Sequence, residues 1–300
     1  MHTAIESAGR VIRIVGKVSP RLATRLAFAA FFSTRPRLRA HPRDATTMAE
    51  ATREHVVVRG RRTTVYRWGE TGPVVVLVHG WRGRASQFSA LVRALREEGY
   101  RVLAFDAAAH GTSRGSRADV RDWIASLVEL QRRHGRFRAV IGHSLGGFAS
   151  LTAARQGLAT DAVVAISATG TPDAFLREFA RMMSLDGPTL EGVERLFVRR
   201  LGEDRASLAE RYDSLAHPLG REVPLLLVHG TADRQLPADE SRRLHAAHPA
   251  SSLLLVDGVG HSRVLAEREV LDAVVGFVGQ AAAVEGGLPA GGRKTAAPSS

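Results

Sequence analysis

The chain contains no cysteine. A disulfide framework, a thiolate metal site and a cysteine nucleophile are therefore excluded. Lysine is nearly absent: only Lys17 and Lys294 occur, and arginine supplies the other basic groups behind a formal net charge of +12. A basic chain can bind nucleic acid or an anionic membrane. Here the arginines are spread along the chain, with local clusters such as residues 59–62, and no helix-turn-helix, zinc-finger or aromatic RNA-binding pattern accompanies them. Solvated surface charge is the default reading, and nucleic acid is not an expected partner. Long apolar runs are missing as well. The uninterrupted apolar stretch Leu26 to Phe32 falls far short of the roughly 20 residues a membrane span needs. Arginines interrupt the N-terminal region and no small-residue cleavage site follows, so a signal peptide does not fit. The expected location is cytoplasmic.

What remains has an ordinary globular composition, 44% hydrophobic and 24% charged over 300 residues. A chain of that length can bury about three quarters of its unfolded surface in a single domain. Residues 1–50 form a separate basic extension. Val11, Ile12, Ile14, Val15 and Val18 give an apolar cluster cut by arginine and lysine, and Leu22, Leu26, Phe28, Phe31 and Phe32 follow. The expectation is an amphipathic helix resting on the domain. The sharper alternative is a helix in weak contact with a membrane surface. The proline-broken stretch RPRLRAHPRDATTMAE then reads as a linker.

From 51 to 280 the pattern is regular. EHVVVRG and RTTVYRW suggest a strand pair around Gly60; apolar runs at 73–78, 101–106, 139–141, 162–168, 223–228 and 252–256 alternate with helical spacings. Strands alternating with helices imply a mostly parallel sheet covered on both faces. Residues 173–222 exceed what one crossover needs. They are expected to form a small helical cap, with helices over 175–183 and 190–201 broken at Asp186-Gly187-Pro188. The tail 281–300, rich in Gly, Ala, Pro and Ser, is expected to be disordered.

Residues 141–150 read IGHSLGGFAS, a serine boxed by Gly142, Gly146 and Gly147 between an apolar run and an alanine-rich helix. At such a strand-to-helix hinge the glycines leave room for a tight turn. The turn holds the Ser144 hydroxyl clear of the sheet at a helix N-terminus. A serine nucleophile also needs a base, an acid to orient that base, and oxyanion donors, all meeting at the carboxyl ends of the strands. VPLLLVHGTADRQLP places Asp233 on the loop after one strand, and SLLLVDGVGHSRVL places His261 after the next. Asp173, after the preceding strand, is the alternative acid. VVVLVHGWRGR puts Gly80 and Trp81 at the end of the first buried strand. The backbone amides of Trp81 and of Leu145 are the expected oxyanion hole. His79 reads as a packing and hydrogen-bonding residue that shapes that loop.

Together HGWRGR, FDAAAHGTS, GHSLGG, HGTAD and GVGH resemble the α/β-hydrolase superfamily over roughly residues 54–280. The resemblance implies the α/β-hydrolase fold and the chain order Ser144, Asp233, His261 for the catalytic groups. FDAAAHGTS is similar to the family's D-x-P-G-H-G-x-S loop, with Ala108 and Ala109 where proline and glycine are usual. Superfamily members include esterases, lipases, thioesterases, C–C hydrolases and acyltransferases. The expected activity is serine hydrolysis of a small-molecule carboxylic ester or thioester through an acyl-enzyme, with no cofactor and no metal. The alternatives are C–C bond hydrolysis or acyl transfer on the same groups and, in another class, a non-catalytic hydrolase-like binding protein. Phe175, Phe179, Met182, Met183 and Phe197 are candidates to line an acyl pocket in the cap.

Overall fold

The computed structural model describes residues 2–202 and 204–283. In chain order the elements begin with α1 (His2–Val18), α2 (Pro20–Phe31) and α3 (Ala45–Ala49). Next come β1 (Thr52–Val58), β2 (Arg61–Trp68), β3 (Val74–Val78), α4 (Ser89–Glu97), β4 (Arg101–Asp106) and α5 (Val120–His134). β5 (Ala139–His143), α6 (Leu145–Arg155) and β6 (Val163–Ile166) follow, then the helical insertion α7 (Pro172–Met183), α8 (Gly187–Leu201) and α9 (Arg205–Tyr212). The chain closes with β7 (Leu225–Gly230), α10 (Asp239–Ala247), β8 (Ser252–Val256) and α11 (Arg268–Ala283).

Among the described residues the strands form one eight-stranded sheet, in the order β1-β2-β4-β3-β5-β6-β7-β8. β1 and β2 pair as a hairpin through Arg59 and Gly60, both at positive φ, the turn whose twist matches the flanking strands. β2 runs antiparallel to β4, and every pairing from β4 onward is parallel. This is the α/β-hydrolase architecture expected from the sequence.

Alternation along β3 shows how the layers are held. Val75 and Leu77 pack with Leu91, Val92 and Leu95 of α4 and with Val270, Val274 and Val278 of α11. Val74, Val76 and Val78 turn to the other face, onto Trp123 and Leu127 of α5 and Phe148 of α6. A strand buried on both faces needs apolar side chains at every position, hence VVVLV. Each such side chain contributes about 1.5–3 kcal/mol.

Three stretches differ from expectation. The segment expected as a linker is packed: Thr47 and Met48 are buried, and the Thr47 carbonyl accepts a 2.7 Å bond from Trp68 Nε1. Proline marked a break there, but the indole N–H needed an acceptor and this segment supplies it. Helix α9 was not foreseen. In the tail, residues 281–283 continue α11, while residues 284–300 lie outside the described residues.

The N-terminal extension forms a helical hairpin on the outside of the insertion. Ile12 of α1 and Ala23 and Ala27 of α2 share an apolar cluster with Leu176 and Met183 of α7 and Val193 of α8. The contact is close: a Cβ on Gly9 would lie 2.2 Å from the Met183 carbonyl oxygen. Arg13 Nη1 donates to the carbonyls of Met183 and Ser184 at 3.1 and 3.2 Å. A guanidinium there satisfies carbonyls that the end of α7 leaves open.

Candidate active site

The carboxyl ends of β3, β5, β7 and β8 converge on one place. β5 ends at His143, and Ser144 follows with φ 56° and ψ −122° before α6 begins. A non-glycine residue held there stores about 1–3 kcal/mol of strain. The neighbours permit it. A Cβ on Gly146 would sit 2.0 Å from the Val78 carbonyl oxygen, and one on Gly80 would sit 2.8 Å from Ser144 Cβ and 3.3 Å from its Oγ. The backbone after β3 thus lies directly against the serine, with Trp81 next in the chain. Leu145 opens α6, in the first turn where amides lack intrahelical partners.

Asp233 follows β7 and His261 follows β8. His261 Nδ1 donates to Asp233 Oδ2 at 2.6 Å, which leaves Nε2 as the basic nitrogen. The Asp233 side chain is fully buried and well supplied with donors: its Oδ1 accepts the amides of Gln235 and Leu236 at 2.8 and 3.0 Å. His229 Nε2 lies 3.3 Å from Oδ2 and 3.1 Å from the Leu236 carbonyl, while its Nδ1 meets Ser241 Oγ at 2.7 Å. Burial alone would raise the Asp233 pKa, but the bonds from His229 and His261 outweigh it and hold the carboxyl below its ordinary range. The group is an anion facing an imidazole. Among the described residues the Ser144 hydroxyl has no hydrogen-bond partner. Asp173 lies instead in the first turn of α7 and lines a cavity of about 170 Å³ with Phe197, Arg205 and Leu208.

Two supporting groups were not singled out in the sequence. His143, beside the serine, donates from Nε2 to the His261 carbonyl at 2.8 Å, its ring 4.6 Å from the His261 ring. Burial, aided by His261, pushes its pKa down to about 3, so it is a neutral strut. The second group lies under Trp81. That indole stacks on Trp123 at 5.7 Å and meets the edge of His110 at 5.0 Å. Trp123 Nε1 in turn donates to the His79 carbonyl at 2.7 Å. His79 bonds the Gly80 carbonyl through Nδ1 and accepts the Ala107 amide at Nε2, shaping the loop as its position suggested. The neighbouring FDAAAHGTS loop is tied down by Asp106, which accepts from Ala85, Tyr66 and Thr112. Ala109, where the resemblance implies glycine, takes φ 65°.

The five candidates for the acyl pocket divide. Phe175 packs edge-on against Phe148 of α6 and in the cluster that includes Leu145 and Trp81. Phe179 meets Phe31 edge-on, Met183 is covered by α1, and Phe197 stacks on Phe32. Met182 is half-buried on α7. The N-terminal hairpin has taken up the faces of Phe179 and Met183, a use that helical spacing could not reveal. The hairpin also reaches the site: Trp81 Nε1 donates to the Ser33 carbonyl at 3.1 Å. Among the described residues no group of three or more His, Asp or Glu side chains is arranged to hold a metal ion.

Residues 75–273 match a family described as "Alpha/beta hydrolase family". The uncharacterized protein Rv2715 of Mycobacterium tuberculosis is 25% identical over 275 residues, spanning 73% of this chain and 78% of its own length. The sn-1-specific diacylglycerol lipase ABHD11 of Xenopus tropicalis is 31% identical over 156 residues, 48% of this chain and 47% of that one. The solved structure of the Pyrococcus furiosus esterase Pf2001 superposes with a TM-score of 0.58 at 21% identity, covering 83% of this chain and 95% of the esterase. That likeness is one of fold.

Proposed function

Because the chain belongs to the alpha/beta hydrolase family, we propose that it is a serine hydrolase cleaving a carboxylic ester or thioester. The observation that carries this reading is the 2.6 Å bond from His261 to the buried Asp233 anion, at the strand ends where the Ser144 backbone is held at φ 56°. The name of the diacylglycerol lipase, 31% identical over 48% of this chain, supports the choice of bond.

His261 Nε2 takes the Ser144 proton as Oγ attacks the carbonyl carbon. Asp233 fixes the ring by its bond to Nδ1 and stabilises the imidazolium. The amides of Trp81 and Leu145 receive the oxyanion. Collapse expels the alcohol or thiol, protonated by His261, and leaves the acyl group on Ser144. Water, deprotonated by His261, attacks the acyl carbon, and collapse returns the proton to Ser144 and releases the acid.

The test is labelling with a fluorophosphonate probe followed by hydrolysis of an ester and thioester panel. Wild type is expected to be labelled, and Ser144→Ala to lose both labelling and at least about 10³-fold in kcat/KM with an unchanged melting temperature. Labelling that survives in Ser144→Ala would remove Ser144 from the role of nucleophile.

A further inference from the structure

The hairpin of α1 and α2 has two faces, and the insertion uses only one of them. Gly9 and Ile12 face the insertion, and Ala23 and Ala27 do the same from α2. On the opposite side of α1, Val11, Ile14 and Val18 are 55%, 60% and 88% exposed. Their spacing of three and four residues makes one continuous stripe. On α2, Leu22 and Leu26 are 47% and 38% exposed as well. Branched apolar side chains at this exposure gain nothing in the isolated protein, and contiguous apolar patches mark interaction surfaces.

The charge beside the stripe narrows the partner. Residues 7–43 contain no Asp or Glu. Arg10 and Lys17 flank the stripe on α1, and Arg21 and Arg25 on α2, all exposed. Where α2 ends, a cavity of about 440 Å³ with Phe28 and Phe32 among its walls also has Arg35, Arg117 and Arg200 around it. An apolar stripe edged by cations, on helices with little net hydrophobicity, is suited to lie in the plane of a membrane interface. Among the described residues no helix is long and apolar enough to cross a membrane.

We propose that the outer face of the N-terminal hairpin is a docking surface for an anionic lipid bilayer. Val11, Ile14, Val18, Leu22 and Leu26 enter the boundary between headgroups and acyl chains, and the flanking cations meet lipid phosphates. The same extension touches Trp81 through Ser33, two residues past the end of α2, and none of the stripe residues or flanking cations belongs to the candidate active site. The proposal does not depend on which bond is cleaved.

The experiment is co-sedimentation of the full chain with vesicles of pure phosphatidylcholine or of phosphatidylcholine mixed with phosphatidylglycerol. Binding to the anionic vesicles is expected to exceed binding to the neutral ones by at least about tenfold and to fall at high salt. Ile14→Ser combined with Val18→Ser and Leu22→Ser is expected to lower binding to anionic vesicles about tenfold or more. Arg21→Glu with Arg25→Glu is expected to abolish the preference for anionic lipid. Both variants should retain wild-type melting temperature and wild-type hydrolysis of a soluble short-chain ester; hydrolysis lost in every form, with vesicle binding intact, would count against the reaction and not the docking. No binding to anionic vesicles, or binding unchanged in the stripe variant, would overturn the proposal. So would a wild-type dimer that the stripe substitutions dissociate, since the face would then belong to a second copy of the chain.

Discussion

The setting of Ser144 is built from side chains its neighbours lack. A methyl group on Gly80 would come 2.8 Å from Ser144 Cβ, a separation that one of the two must relieve by moving. Gly80→Ala is therefore expected to displace Ser144, the proposed nucleophile, or the loop carrying Trp81, lowering kcat/KM about 10²-fold while the protein still folds. Steady-state hydrolysis of an activated ester by purified variant and wild type reads this out, and equal rates would show that the contact is not tight. At this scale the positions of Ser144, Asp233 and His261 after β5, β7 and β8 were legible, because each follows an apolar run that must end as a strand. His143 and His229 were not. The bond from His143 joins residues 118 apart in sequence, and no local spacing encodes such a pairing; the one available signal was that it precedes the serine.

Elements with a strong period read well from sequence, and those defined by a distant partner did not. β4 occupies Arg101–Asp106 as expected, because an apolar run bounded by Gly99 and a charged end is self-contained. The segment around Thr47 takes its structure from Trp68 and Arg93, so its own composition misread as a linker. The insertion was foreseen as helical, but which of its apolar faces turns toward Ser144 depends on where α1 and α2 dock. That division makes a prediction. Phe175, against Phe148 one turn after Ser144, is the member placed to sense an acyl group. Phe175→Ala is expected to shift the ratio of kcat/KM between long and short acyl chains by about tenfold. Phe179→Ala, which removes the contact with Phe31, should lower the melting temperature and leave that ratio alone. Specificity constants over a chain-length series decide it; equal effects of the two substitutions would show that Phe175 does not select the acyl group.

Across the whole molecule, charge and protonation bear on stability. Many arginines in this basic chain are bound to structure rather than free for a partner: Arg37 donates to the carbonyls of Gly111, Ser113 and Gly115, and Arg59, Arg61 and Arg121 converge on Asp119 and Asp122. Guanidinium groups do not titrate near neutrality, so the pH response falls to buried histidines. His110 and His143 are both buried, and burial pushes each from an ordinary value of 6.5 down to about 3. The unfolded chain binds these protons as pH falls below 6.5 and the folded chain does not, so the stabilisation is complete above 6.5 and is lost progressively toward pH 3. Asp233 acts lower still. Its depressed pKa contributes stability above the unfolded carboxylate range, so it is silent between pH 7 and pH 5. Over that interval each histidine should cost about 2 kcal/mol, and the pair should lower the melting temperature by roughly 8 °C. Differential scanning calorimetry at the two pH values, on wild type and on His110→Gln and His143→Gln, tests this. Each substitution is expected to narrow the gap, because glutamine does not titrate; His79 and His248, whose pKa values burial also lowers, add to the fall that remains. Melting temperatures that fall in parallel for all three proteins would place the acid-sensitive groups elsewhere.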